Sequence, residues 1–476
     1  MKSKKAVLGT LAAVAASAFA TVPQVTYVQM TQSSSSRLVT IQYKFSGDDA
    51  VITLDVQTNA NTSASASDPG WTSIGGPAVC NAQGDVWRKV EKVSDDTMHT
   101  ITWRPDKSWA GENGEGFAVA ANGARAVVKA WATNNTPDYM VVDISNSAAP
   151  NTQDARCRFY PSVDFLPGSA PGQVGAVTNN ANFKTSLLVM RKICARDVTW
   201  IMGSTALETD RSRYESGRGE NTHPVTLTND YYIGIFELTQ GQWAEVVPTG
   251  RSYPSYFANL TYRAGRPVER ICYNDLRCGD CSNTSASSDS GGHYPDPPYA
   301  DSFLGRLRSR TGVDFDLPSD AQWEFACRAG HGDTQYGDGS TILNQYSSPD
   351  ANLARIARYS RNPEGNEVGP PSTTDTSKGT SVVGTYAPND WGLYDMLGNV
   401  QDLVLDKFAF DNTTLNGAVC TSTPDLFDAK EKIIGRGGHY VSAAAWCRPA
   451  YREHYFPGDR SRAQLGFRVA CRAGLD

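Results

Sequence analysis

The sequence predicts two dissimilar units, an all-β sandwich followed by a loop-rich α+β domain. Three observations predict this. Apolar residues alternate with polar ones near the start: Val39, Ile41, Tyr43 and Phe45 against Thr40, Gln42 and Lys44, then Ile52, Leu54 and Val56 against Thr53 and Asp55. Strict alternation sends one set of side chains to a core face and the other to water, which is the pattern of a half-buried strand. Composition then shifts to Ser, Asn, Ala, Pro and Gly over residues 145–184. Beyond it, short segments with helix-capping residues appear among much irregular chain.

Further strands are expected at His99–Trp103, Ala126–Trp131 and Tyr139–Ile144, separated by Gly, Asn, Asp and Pro. Several short strands with turn residues between them suggest a sandwich. The expected divisions are residues 21–145 for the sandwich, 146–186 for an irregular connection and 187–476 for the second domain. Trp103, Trp109 and Trp131 are open to a carbohydrate-binding reading, but core packing is the preferred one. In the second domain, helices are expected at Thr239–Val246 with Thr239 as its cap, at Asp301–Thr311, and at Ser319–Arg328 with Ser319 opening it and Gly330 closing it.

The chain has 476 residues with 44 basic and 50 acidic side chains, a net charge of −6. No basic face points to nucleic acid. Residues 1–20 carry three lysines, a short apolar run and Ala18-Phe19-Ala20. This is the layout of a cleaved secretory leader, so export is expected, to the periplasm, the cell surface or the medium. No other stretch is long and apolar enough for a membrane span. The sequence has ten cysteines. In an exported chain some should pair. Cys80 and Cys157 are the candidate pair of the first half, and Cys278 and Cys281 have the spacing of a loop disulfide. The six histidines are scattered without metalloprotease spacing, and no phosphate loop or nucleophile elbow occurs.

Several segments of the second half match one family in order. They are Trp200-Ile201-Met202-Gly203-Ser204, His223-Pro224-Val225, Tyr231-Tyr232-Ile233-Gly234 and Glu237-Leu238-Thr239. Pro267-Val268-Glu269 follows, then Leu317-Pro318-Ser319 through Phe325-Ala326, and Asn389-Asp390-Trp391-Gly392 through Leu397-Gly398-Asn399-Val400. Arg436-Gly437-Gly438 and Gly466-Phe467-Arg468 close the series. This resembles the formylglycine-generating enzymes, or sulfatase-modifying factors. The resemblance covers about Leu187–Ala473 and implies a variant of the C-type lectin fold.

The resemblance also implies a chemistry. Family enzymes oxidise a sulfatase cysteine with copper(I) and oxygen, and two cysteines five residues apart hold the copper. Soft thiolates suit Cu(I). Here Cys447 matches the second cysteine, Ser442 stands in place of the first, and His439 replaces a serine after the glycines. A serine hydroxyl is a poor Cu(I) ligand, so copper and oxidase activity are not expected. The alternative is an oxidase with altered ligation through Cys447 and His439. Cys447 is otherwise a buried thiol or half of a bridge to Cys327 or Cys471.

The family's calcium loop survives better. The match places the Asp395 and Asp402 side chains and the Gly398 and Val400 carbonyls around the ion, with Asn352 at a second family site. These are hard oxygen donors suited to calcium. Asp402 replaces the family's longer Glu. The other reading is a hydrogen-bonded turn without metal. Finally, Tyr440, Trp446, Tyr451, His454 and Tyr455 lie among framework positions of the C-terminal segment. Large amphipathic rings beside small residues have the composition of a paratope. The pattern resembles the variable proteins of diversity-generating retroelements, which implies a protein or cell-surface ligand. The expected function is therefore a binding protein, and the second class considered is the copper-dependent oxidase.

Overall fold

The alternation read near the start becomes two facing antiparallel sheets. The computed structural model describes residues 21–109, 123–167, 176–204, 208, 219–247, 255–257, 263–279, 294–332, 336–346, 348–362, 379–408, 432–460 and 462–475. The leader 1–20 and Cys281 lie outside these residues. In the first sheet, β1 (Gln24–Gln32), β2 (Val39–Ser46), β7 (His99–Trp103) and β5 (Gln83–Gly84) run in that order. In the second, β3 (Ala50–Thr58) pairs with β4 (Thr72–Ser73), β6 (Lys89–Val90) and, along its whole length, β8 (Ala124–Ala132). Val39, Ile41, Tyr43 and Phe45 of β2 are all buried, and the residues between them are half-buried. Trp103 is core, and Trp109 packs against it with ring centroids 6.4 Å apart. Trp131 is half-buried, donates to Thr53 Oγ1 and lies under the Lys129 ammonium.

A division at residue 145 does not match the sheets. A five-stranded sheet runs β10 (Cys157–Tyr160), β9 (Tyr139–Asp143), β11 (Leu187–Ile193), β14 (Tyr231–Gly234), β19 (Ala470–Arg472). β9, expected in the sandwich, and β10, expected in the connection, thus belong to the sheet of the second half. The loop between β9 and β10 is ordered by a side chain that composition does not reveal. Arg156 is buried and donates to the carbonyls of Ser145, Ala149 and Pro150 and to the side chains of Ser147 and Asn151. One guanidinium has five donors in a fixed fork, so it can order a loop that lacks apolar residues. The expected Cys80–Cys157 bridge is not formed, because Cys157 is a buried free thiol within β10.

The remaining strands make a ribbon, β12 (Val198–Met202) with β13 (His223–Leu227), and a sheet ordered β17 (Arg452–Tyr455), β16 (Ile433–Arg436), β15 (Gln401–Lys407), β18 (Leu465–Gly466). The helices form where their caps predicted. Thr239 and Ser319 each accept from the backbone N–H three residues on, and Gln242 and Gln322 reach back, completing capping boxes. The Phe303–Thr311 helix begins behind Ser302. The Asp320–Arg328 helix ends at the expected Arg328, capped by Ala329 in the left-handed conformation at φ 48° and followed by Gly330 at φ 88°. No described helix is long and apolar enough to cross a membrane.

Candidate functional site

Two loops meet where β15 begins and β16 ends. The first is Asp395–Asp402. Asp395, Gly398 and Asn399 all have positive φ, so the backbone turns tightly. A Cβ at Gly398 would lie 2.2 Å from the Arg358 carbonyl oxygen, which makes glycine obligatory there. Glu237 holds the turn from beneath. It accepts from Asn399 Nδ2 at 2.6 Å and from Val400 N–H at 3.0 Å, and it is fully buried. Asp402 Oδ2 accepts from Trp323 Nε1 at 2.9 Å and from Arg468 Nε at 2.7 Å. Arg468 also donates to the carbonyls of Tyr394 and Asp395.

Three buried carboxyl groups therefore share one neighbouring guanidinium. Burial, then the charges of Asp395 and Asp402, pushes Glu237 well above the usual carboxylate range. Burial likewise pushes Asp395 up to about 6, although the Gly384 N–H and Arg468 oppose it. Asp395 Oδ1 and Asp402 Oδ1 are buried without a hydrogen-bond donor. Buried acceptors are nearly always satisfied, so two orphans on one loop fit the family's calcium ion. Among the described residues no set of three or more acidic, His or Cys side chains is placed to hold a metal. Further ligands would have to be carbonyls, those of Gly398 and Val400. Asn352 is engaged differently, on the Ala351–Ile356 helix with its amide donating to Thr341 O at 2.8 Å.

The second loop runs from Gly437 to Cys447. Here the polar groups are used up locally. His439 N–H donates to Ser442 Oγ at 3.0 Å, and Ser442 N–H donates to the His439 carbonyl at 2.8 Å. Ser442 is buried, and its own carbonyl accepts from Ser360 N–H. Val441 N–H donates to His439 Nδ1. Cys447 is a fully buried free thiol. Burial raises its pKa to about 12, outweighing the opposing backbone N–H groups of His439 and Gly398. A thiol so raised is protonated in the metal-free protein. Burial lowers His439 to about 4, so its imidazole is neutral. One thiol beside a serine already committed to a turn is not the two-thiol set that the family uses for copper(I).

The aromatic segment divides. Tyr440 is half-buried and meets the Phe257 ring edge-on at 5.3 Å. Trp446 is half-buried at the end of a single helical turn. His454 packs at 4.6 Å on Phe408, and Tyr455 donates to Gln401 Oε1; both are half-buried on β17. Tyr451 departs from the expectation of a contact residue. It is 5% exposed, its hydroxyl donates to Glu453, and its ring lies under Arg448. Arg448 in turn is locked between Glu208 and Glu220, so the ring packs on a buried ion network and offers no surface.

Three exposed side chains beside this segment escaped the sequence reading. Tyr256 is 42% exposed next to Phe257, and Leu343 and Tyr346 are 58% and 37% exposed. The loop of Leu343 and Tyr346 is tied to the segment by Ala445 N–H donating to the Gln345 carbonyl. Their sequences have no periodicity, so only the hydrogen bond reveals their place.

The described fold is mostly β sheet with few helices, and the glycine turns at Gly398 and Gly437 bring its two loops together. The "Sulfatase-modifying factor enzyme 1-like domain" family matches residues 190–473, more than half of the chain. The chain belongs to this family, and the C-type lectin-like fold implied by the motifs is the fold of its C-terminal part. It is 27% identical over 207 residues to "Chaperone protein LppX" of Paenibacillus barcinonensis, covering 41% of this chain and 67% of that one. It is 27% identical over 183 residues to the formylglycine-generating enzyme of Bos taurus, covering 38% and 45%. The match thus spans less than half of the bovine chain. Among solved structures, Treponema denticola variable protein 1 aligns over 60% of this chain and 95% of its own, at 23% identity and TM-score 0.41.

Proposed function

We propose that this is an exported binding protein built on the sulfatase-modifying scaffold, without the family's oxidase activity. The observation that carries the reading is Ser442. It occupies the position of a copper-holding cysteine, and its hydroxyl accepts the His439 N–H that closes the turn. The recognition surface is the half-buried ring set of Tyr440, Trp446, His454 and Tyr455, extended by exposed Tyr256, Leu343 and Tyr346. Rings of this kind give contact area at low entropic cost, and the ligand class they suit is a protein or cell-surface partner. Calcium belongs to the proposal as a structural ion at Asp395 and Asp402, where two buried oxygens have no donor.

The test is Cu(I) titration of the reduced protein beside Ser442→Cys. Wild type is expected to bind no copper tightly, and the variant, with two thiols on the loop, is expected to gain affinity by orders of magnitude. Tight copper binding by wild type that is lost in Cys447→Ala would overturn the reading in favour of an oxidase with altered ligands.

A further inference from the structure

Away from the two loops, a cleft of about 690 Å³ opens between the Gln240–Val246 and Phe303–Thr311 helices and the loop wrapped around Arg156. No residue of the 436–468 segment lines it. Its polar walls are Asn146, Asn151, Glu245, Arg306, Ser309 and Arg310. We infer that this cleft is a second binding site, for a saccharide carrying a carboxylate or sulfate group.

The argument begins with three arginines on one helix. Arg308 turns inward and pairs with Asp316 at 3.0 Å. Arg306 and Arg310, one turn apart on the cleft side, form no ion pair among the described residues. Both are nevertheless fixed in place. Arg306 Nε donates to the Asp301 carbonyl at 2.9 Å, and Arg310 Nη1 donates to the carbonyls of Ile144 and Glu245. An anchored guanidinium has lost its rotamer entropy before a ligand arrives, and its remaining N–H groups keep the fork that matches an oxyanion. The carboxylates of Glu245 and Asp143 act on Arg310 and Arg156 opposes them; Glu245, on the cleft wall, is already engaged in accepting from the Asn146 N–H at 3.1 Å. Arg306 and Arg310 thus set two positive charges one helical turn apart on the same cleft wall, where one bound anionic ligand can reach both.

Volume and lining narrow the class. A free ion fills little of 690 Å³, which is in the range of sites for drug-sized ligands. No described aromatic ring lines the cleft, so a nucleobase would have no stacking partner. Side-chain amides, a hydroxyl and a carboxylate match hydroxyl-rich ligands, and the small apolar residues between them suit the C–H faces of sugar rings.

Isothermal titration of the full chain with a uronate trisaccharide, a sulfated disaccharide, a neutral trisaccharide and inorganic sulfate tests this. The expected result is binding of one or both acidic sugars, weakened about tenfold or more in Arg306→Gln and in Arg310→Gln and reduced by added salt. The neutral sugar should not bind, and inorganic sulfate should bind weakly at most. Arg306 makes a single carbonyl bond at the surface, so Arg306→Gln should keep the wild-type melting temperature even if Arg310→Gln does not. No binding of either acidic sugar, equal binding of acidic and neutral sugars, or binding unchanged in Arg306→Gln would each overturn the inference. Failure of this test leaves the copper titration untouched, since the two sites share no residue.

Discussion

The Asp395–Asp402 loop and the Gly437–Cys447 turn touch, since Tyr440 N–H donates to the Asn399 carbonyl and Gly398 N–H to that of Gly437. They have nonetheless come to opposite states. In the first, Glu237, Trp323 and Arg468 fix the geometry while Asp395 Oδ1 and Asp402 Oδ1 stay without donors. In the second, Ser442 and His439 satisfy each other and Cys447 is a neutral buried thiol. The contrast sets a loop that keeps two acceptors open against a turn closed by two hydrogen bonds between Ser442 and His439. A buried carboxylate network cannot be dismantled one member at a time, because each loss strands a charge.

Four experiments probe that contrast. Asp402→Ala should have the largest effect. It leaves the Arg468 guanidinium fully buried without its hydrogen-bonded carboxylate and should cost about 3–5 kcal/mol in urea unfolding. A cost below about 1 kcal/mol would mean the network is looser than its geometry states. Next is Glu269, beside Tyr440 on the turn's side, which burial pushes from 4.5 up to about 7. Its folded pKa exceeds its unfolded one. Its contribution is therefore fully present below about pH 4.5 and lost as pH rises through about 7. The loss can reach about 3 kcal/mol, and Glu269→Gln should remove that slope from the unfolding midpoints between pH 5 and 8.

Calcium comes third. At about 100 times its dissociation constant it should add about 2.7 kcal/mol, seen as a higher melting temperature reversed by chelator and absent in Asp395→Asn. A melting temperature indifferent to calcium would identify the loop as a metal-free turn. The smallest change is Tyr451→Phe, which removes the hydroxyl bond to Glu453 and should cost about 1 kcal/mol. If that variant instead abolishes partner capture, Tyr451 is a contact residue after all.

Where periodicity or capping chemistry acts locally, the sequence was legible. β2 alternates as read, and the Thr239 and Ser319 caps form with their glutamines. The motif residues Asp395, Asp402, Ser442 and Cys447 do come together at one pair of loops. What could not be read was long-range. Glu237 lies 162 residues before the Asn399 amide it accepts from, and nothing local marks it as the support of that turn. The same holds for Arg156, whose six acceptors lie in a segment that composition alone describes as a linker. Tyr451 was misjudged because a ring stacked under a buried arginine and a ring offered to a partner look alike in a list of residues.

The five-stranded sheet has a consequence for how this protein can be divided. Family similarity begins at residue 190, inside β11, but β9 and β10 complete the sheet from upstream. A fragment started at the homology border would keep the whole recognisable domain but cut β11 to Met190–Ile193 and leave it as a raw edge, with N–H and C=O groups facing solvent where β9 had been. Such a fragment should aggregate or recruit a foreign strand. The inherited unit and the unit able to fold are therefore offset by about fifty residues, the distance from β9 to β11.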